Sequence, residues 1–224
     1  MLRYPISTIL WLAKQSIKDK IQDALKLHNN IDAYITIEIK DKNGNIIKRH
    51  KQKSHSFVAN FLLMINSMMT ANGLNLTDIS GTITQPDLGT DCYLEFSLNV
   101  SKVSGTLGNM GIVIGTGTAT PTPQDYKLGN QIANGTGSGQ MEYSSIIITN
   151  PTVNGNTTSF QISQTYTNNS GASITVTEVG LQVYFYNSSP GPDYMLIIHD
   201  LLSSPITVPN GGVLGITYTI STTT

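Results

Sequence analysis

The chain is short of charge, because charged residues make up only 12% of its 224 positions and the formal net charge is -1. Ordinary soluble domains carry about twice that share of charged residues. Ser and Thr take their place and fill roughly a fifth of the chain, and Asn is also frequent. Thr is β-branched and still wettable, which suits the exposed face of a strand. The composition therefore predicts a β-rich protein with an uncharged surface that packs against neighbours.

Cysteine and long apolar runs are scarce as well. Cys92 is the only cysteine, so no intramolecular disulfide can form, and we expect a buried, inert thiol. No stretch approaches the roughly 18 apolar residues that a membrane-spanning helix needs. Residues 1–16 contain a short apolar run but lack a small-residue cleavage site, so we expect no signal peptide.

Positive charge is scarce in most of the chain. Residues 1–53 hold 11 of the 13 basic residues and have a net charge of +6, whereas residues 54–224 have a net charge of -7. This division indicates that the two parts face different surroundings. A solvated basic surface explains it, and so does contact with an acidic partner, a membrane or a packaged genome. The basic residues are not interleaved with an aromatic ladder, which argues against specific nucleic-acid recognition.

Residues 6–28 are predicted to form an amphipathic helix, because apolar residues recur at steps of three and four. This apolar face must pack on something: its own domain, a neighbouring subunit or an underlying membrane. The candidate residues for an inter-subunit or membrane-facing contact are Ile6, Leu10, Trp11, Ile17 and Ile21.

A basic hairpin follows. Residues 32–40 alternate between apolar and polar side chains, which is typical of a half-buried strand. Asn43-Gly44 is a strong signal for a hairpin turn. The return strand is rich in positive charge, which protects an exposed edge from unwanted pairing. Its candidate contact residues are Lys48, Arg49, Lys51 and Lys53.

Residues 54–70 are predicted to form a second helix, with Ser54 or Ser56 as its N-cap. Its apolar stripe includes Met64, Met68 and Met69. Such a Met-rich stripe is usually core filler, and an adaptable binding surface is the alternative.

After residue 72 short apolar runs alternate with turn residues, which favours an antiparallel β-sandwich or jelly roll. We therefore divide the chain into an N-terminal region, residues 1–72, packed on or inserted into a β-sandwich domain, residues 73–224. Residues 116–139 are too rich in Gly, Pro and Thr for a strand, so we expect a long ordered loop with one short helical turn. The candidate strands are 80–84, 92–100, 110–115, 140–149, 157–166, 172–186, 193–201 and 212–221.

No motif for catalysis, a cofactor or a metal is apparent. The four histidines have no metal-ligand spacing. His199 and Asp200 are adjacent in a predicted strand and point to opposite faces, so a hydrogen-bonded structural histidine is expected rather than a dyad. The stretch Gly115–Thr120 resembles a phosphate-binding loop, but no lysine or helix follows it, so we expect a tight strand-to-loop transition. We therefore expect no enzyme, no cofactor, no metal and no small-molecule substrate.

Six sequons for N-glycosylation occur, a number close to chance for a chain so rich in Asn, Ser and Thr. They are at Asn75, Asn99, Asn134, Asn156, Asn168 and Asn187.

Four stretches together resemble structural proteins of bacteriophage and archaeal-virus particles. They are residues 37–65 (a hairpin, then SHSFV entering a helix), 112–132 (IVIGTGTATPTPQDYKLGNQI), 167–181 (TNNSGASITVTEVGL) and 195–220. The Thr- and Asn-rich composition is similar to that of turreted icosahedral crenarchaeal viruses, whose penton-base and turret subunits are built on jelly rolls. The two predicted N-terminal helices depart from a plain jelly roll.

The resemblance implies a virion structural protein at a capsid vertex (penton base or turret) or in a tail-like appendage, and it supplies no catalytic residues. Its expected partners are copies of itself in a pentamer or other ring and other virion proteins such as the major capsid protein. Contact with an internal membrane or the genome through the N-terminal region is a further expectation. The alternative is a glycan-binding β-sandwich module for host attachment, with Tyr184, Tyr186 and Tyr194 as candidate surface aromatics; strand packing is the other explanation of these tyrosines.

Overall fold

The computed structural model describes residues 31–54, 56–70, 72–86, 96–98, 107–187 and 193–224. The predicted helix over residues 6–28 lies outside these ranges, and so do its five candidate contact residues, Cys92 and Asn99.

The larger antiparallel sheet, sheet A, is built on a hairpin. Strands β1 (Ile31–Lys40) and β2 (Ile46–Ser54) are joined by a turn with Gly44 at a φ of +85°, as the alternation and the Asn-Gly signal predict. The other side of β1 pairs with β13 (Val213–Thr223), and β13 pairs with β10 (Thr157–Thr167). The far side of β10 pairs in turn with β7 (Glu142–Tyr143), β8 (Ile147–Ile148) and β9 (Thr152–Asn154).

The second antiparallel sheet, sheet B, is centred on β11 (Ile174–Phe185). On one side β11 pairs with β12 (Asp193–Val208), with register shifts after Val176 and Leu181. On its other side β11 pairs with β6 (Gly111–Gly115) and with β5 (Phe96–Ser97). A small separate hairpin consists of β3 (Leu76–Thr77) and β4 (Ile83–Thr84). The prediction of a mainly β protein with antiparallel sheets is thereby confirmed.

One buried apolar cluster draws on both sheets. Sheet A contributes the inward face of β1, as the alternation predicts, and also Ile162, Tyr166 and Leu214 from β10 and β13. Sheet B contributes the apolar side chains of β6, β11 and β12. The β1–β2 hairpin of the predicted N-terminal region is thus part of the same sheet as the C-terminal strand.

The predicted second helix is present but shorter than expected. Helix α1 spans Ala59–Thr70, so a start at residue 54 with Ser54 or Ser56 as cap is wrong. Ser54 ends β2 instead, and the Val58 N–H donates to the Ile197 carbonyl oxygen (3.1 Å) in an extended segment beside β12. In the described ranges no helix combines the length and apolarity needed to cross a bilayer.

The strand predictions succeed best where alternation is longest. The strands β6, β10, β11 and β13 match their predicted ranges within two residues. The predicted strand 140–149 is broken into β7 and β8, and β12 continues to Val208 through a bulge that accommodates Pro205. Residues 116–139 form the expected long loop (the cover loop), with a turn rather than a helix at Pro123-Gln124.

Candidate functional site

A buried carboxylate on the central strand of sheet B is the most heavily bonded charged group in the described part of the chain. Glu178 of β11 is 1% exposed. Its Oε1 accepts hydrogen bonds from the backbone N–H groups of Gly117 and Asn130, each at 2.8 Å, and its Oε2 accepts one from Gly129 N–H at 2.9 Å. All three donors belong to the cover loop. The Glu178 side chain therefore joins the start of the loop, at Gly117, to its middle, at Gly129 and Asn130.

Glycine is required where the loop approaches this carboxylate. A Cβ at Gly117 would lie 2.5 Å from Glu178 Oε1, and one at Gly115 would clash with the same oxygen. Strand β6 ends at Gly115 and the loop follows, which confirms the predicted strand-to-loop transition. The stretch that resembles a phosphate loop therefore does contribute one backbone N–H, that of Gly117, to an anion, and this anion is a side chain of the same protein.

His199 of β12 bridges Glu178 to a second carboxylate. Its Nε2 lies 3.0 Å from Glu178 Oε2 and its Nδ1 lies 2.6 Å from Asp125 Oδ2. Asp125 belongs to the cover loop, where its carboxylate also accepts hydrogen bonds from the N–H and hydroxyl of Thr122. Two carboxylates can only accept, so both imidazole nitrogens carry a proton and His199 is an imidazolium. We call Asp125, Glu178 and His199 the acid–histidine cluster.

The pKa values of the cluster follow from its burial and hydrogen bonds. Burial favours the neutral form of Glu178, but the hydrogen bonds from His199, Asn130, Gly129 and Gly117 outweigh it and lower its pKa to about 2. Burial also opposes the charged form of His199, yet its bonds to Glu178 and Asp125 raise its pKa above 6.5. Asp125 has a lowered pKa because its bonds to Thr122 and His199 overcome its partial burial.

The cluster is suited to holding structure rather than to catalysis. A general base needs a nitrogen or oxygen that can reach a substrate proton, but both nitrogens of His199 are engaged and Glu178 accepts four hydrogen bonds. Within the described ranges no group of three His, Cys, Asp or Glu residues is arranged to bind a metal ion. The arrangement fastens the cover loop over the outer face of sheet B.

The neighbouring Asp200 faces the opposite side of β12. Its Oδ2 accepts hydrogen bonds from Ser54 Oγ (2.6 Å) and Tyr218 OH (3.1 Å), so it links β2, β12 and β13 between the sheets. His199 and Asp200 are therefore not a dyad, and the prediction of a hydrogen-bonded structural histidine is confirmed.

Comparison of the chain with protein-family models, with curated proteins and with solved structures finds no match. The site is accordingly interpreted from its own geometry.

The three candidate tyrosines do not form a common surface. Tyr184 and Tyr194 are 8% and 4% exposed, and their rings meet edge to face with centroids 6.2 Å apart in a small cluster with Met110. Their selection as surface contacts is wrong, because they pair across β11 and β12 on a covered face. Tyr186, which follows β11, is exposed.

The four basic candidates lie on β2, the edge strand of sheet A, and each has an intramolecular contact. Arg49 pairs with Glu38 (2.8 Å) and Lys53 with Asp32 (2.5 Å). Lys51 lies over the ring of Tyr34, and Lys48 Nζ donates to the Pro205 carbonyl oxygen. All four side chains remain exposed to a partner. The contacts of Arg49, Lys51 and Lys53 lie within the β1–β2 hairpin, whereas that of Lys48 reaches β12.

The asparagines of the described sequons differ in their exposure to solvent. Asn75, Asn134 and Asn156 are exposed. Asn168 is fully buried, with its amide donating to the carbonyl oxygens of Ala172 and Val208. Asn187 is also buried, and its amide donates to Thr84. A glycan on Asn168 or Asn187 is incompatible with these contacts, so both are removed from the candidates.

The outer face of sheet A carries a shallow polar groove of about 350 Å³. Gly215 of β13, which has no side chain, forms its floor. A Cβ added at Gly215 would meet no atom closer than 3.9 Å. Its walls include Thr36 and Glu38 of β1 and Ser163 of β10. Packing does not require this glycine, and a strand glycine often marks close approach by another molecule.

Sequence reasoning did not single out Asp125 or Glu178. Their separation of 53 residues leaves no local spacing to detect. One signal was present: Glu178 is the only charged residue of β11 and lies two residues before Gly180. Gly180 pairs with His199 and leaves room for Leu128 of the cover loop.

Proposed function

We propose that the protein is a structural, non-enzymatic subunit of a virus particle, acting at a capsid vertex or in an appendage. Its partners would be copies of itself in a ring and other virion proteins, with the basic N-terminal region toward a membrane or the genome. We also propose that sheets A and B are the two layers of a β-sandwich of jelly-roll type. The shared apolar cluster supports this arrangement.

The observation that carries the proposal is an apolar helix face that the rest of the described chain does not cover. On α1, Leu62 and Met69 are 68% and 83% exposed, and Met68 is exposed beside them. Phe61 and Met64 pack on the core from the other side. The expectation of core filler is therefore wrong for Met68 and Met69. Flexible Met side chains on a surface suit contacts with more than one partner.

The acid–histidine cluster supports the same proposal, because it makes the chain rigid without presenting a reactive group. A subunit that repeats one interface around a ring gains from a fixed shape, since each contact is then made many times without further ordering.

Self-association of the full chain tests the proposal. We expect light scattering after size exclusion to show a closed oligomer at micromolar concentration. Met69→Glu should shift it toward the monomer, because a charge would be buried at the contact. Asn43→Glu, at the exposed hairpin turn, adds the same charge and should leave the oligomer intact. A wild-type chain that stays monomeric and does not bind virion proteins would overturn the proposal.

A second candidate function is glycan binding in the groove over Gly215. The hydroxyl-lined walls and Glu38 could bind sugar hydroxyls, whereas the buried Tyr184 and Tyr194 could not. We expect Gly215→Gln to abolish any binding on an array of host-surface glycans by filling the groove. If the wild-type protein binds no glycan, or if Gly215→Gln binds equally well, this candidate is excluded.

A further inference from the structure

The inner face of sheet A continues past the part of the core that sheet B covers. Paired residues of antiparallel strands point to the same side. Ile35, Tyr218 and Ile162 are paired side by side and are fully buried. Two residues further along the same face, the next row contains Ile220 and Phe160, which are only partly buried.

The last row of this inner face is open to solvent. It runs from Ile31 of β1 across Thr222 and Thr158 to Val153 of β9. Ile31 is 51% exposed and Val153 is 75% exposed. Ile31, Phe160, Ile220 and Pro151 border an apolar groove of about 240 Å³, which we call the end groove. Val153 lies at the other end of the same exposed row. Burying this exposed apolar surface would stabilise the folded protein by about 25 cal/mol for each Å² removed from water.

The chain itself leads into the end groove. Ile31 is the first described residue and forms one wall, and 30 residues precede it. Residues 6–28 carry the apolar pattern that includes Trp11, Ile17 and Ile21. A helix of that length extends about 35 Å, whereas four strands span about 15–20 Å. The segment is therefore long enough to cross the whole exposed row.

We propose that the apolar face of residues 6–28 packs into the end groove of the same chain and completes the core at that end. The lysines on the other face of the segment then remain in water. The proposal is independent of assembly: it assigns a place to the N-terminal segment whether or not the protein forms a ring.

Trp11 is the only tryptophan of the chain, so its fluorescence reports this contact in the full-length protein. We expect blue-shifted emission and a several-fold lower acrylamide quenching constant than for the urea-unfolded chain. Ile31→Asp introduces a charge into the wall of the end groove and should bring quenching close to the unfolded value. Val153→Asp, at the other end of the same exposed row, should do the same.

Ile147→Asp is the matched control. Ile147 is 66% exposed and lies on the same edge of sheet A, but it pairs with Ser163 and therefore points to the outer face. This variant should keep the wild-type emission and quenching. Far-UV circular dichroism should show the same strand content in all three variants, because each replaced side chain is at least half exposed.

Three results would overturn the proposal. In the first, Trp11 is as easily quenched in the wild type as in urea. In the second, Val153→Asp and Ile147→Asp change the emission equally. In the third, protection of Trp11 disappears on dilution together with a fall in molar mass, which would show that a second copy covers the end groove.

Discussion

Gly117 and Gly215 differ in the space available for a side chain. Gly117 follows β6, and a Cβ there would press against a carboxylate that is already fixed by four hydrogen bonds. Gly215 lies within β13, and a Cβ there would find only ordinary contacts at 3.9 Å. Neither glycine has a positive φ, so the difference between them is one of space and not of backbone conformation.

Gly117→Ala should therefore destabilise the protein by about 1–3 kcal/mol through overpacking. Gly215→Ala should be neutral or stabilise it by about 0.5–1 kcal/mol, because alanine restricts the unfolded chain more than glycine does. Urea unfolding of both variants alongside the wild type measures the two free energies of unfolding. Equal effects of the two substitutions would contradict the packing described around Glu178.

At the scale of elements, the cover loop packs on the face of sheet B that carries Glu178 and His199. Its own side chains Leu128 and Ile132 are buried, and Tyr143 OH donates to the Ile132 carbonyl oxygen (2.7 Å). The loop has no strand or helix of its own, so its order depends on these few side chains and on the acid–histidine cluster.

Trypsin can test this dependence, because Lys127 is the only lysine or arginine between residues 107 and 224. We expect the wild type to resist cleavage after Lys127 and Glu178→Gln to be cleaved many times faster, since a neutral amide cannot hold His199 and three backbone N–H groups. Mass spectrometry of the fragments over time measures the rate.

Glu142→Gln is the control for the trypsin experiment, because Glu142 is partly exposed and bonds only Asn169 among the residues described. It should be as resistant as the wild type. Rapid cleavage of the wild type itself at Lys127 would show that the cover loop is not held as described.

The elements differ in how far the sequence predicts them. The β1–β2 hairpin and strands β10, β11 and β13 were predictable, because alternation and turn residues are local properties. The start of α1 was misplaced because Ser54 bonds Asp200, which is 146 residues away. The acid–histidine cluster escaped prediction for the same reason, since its three members come from a loop and two strands brought together only by tertiary packing.

At the scale of the whole molecule, the acid–histidine cluster defines a pH range of greatest stability. Glu178 has a folded pKa of about 2 against 4.5 when unfolded, so its contribution is complete above pH 4.5 and is lost as pH falls toward 2. His199 has a raised pKa, so its contribution is complete below about pH 6.5 and is lost as pH rises through the folded value. Both contributions are therefore present together between these limits.

The free-energy difference between the wild type and Glu178→Gln should accordingly be largest between pH 4.5 and 6.5, at about 3 kcal/mol. It should shrink toward pH 2, where Glu178 becomes protonated in the wild type. It should also decrease at alkaline pH, where His199 becomes neutral. Chemical unfolding of both proteins from pH 2 to 9 measures the curve, and a difference that does not vary with pH would contradict the charge state assigned to His199.

The order of strands in sheet A bears on how the protein is made. Strand β13 lies between β1 and β10, so β1 reaches the rest of sheet A only through a strand that is synthesised much later. The β1–β2 hairpin must therefore wait with an unpaired edge while about 170 further residues are translated. Sheet formation in this molecule is thus dominated by distant pairings, which is the regime of slow folding.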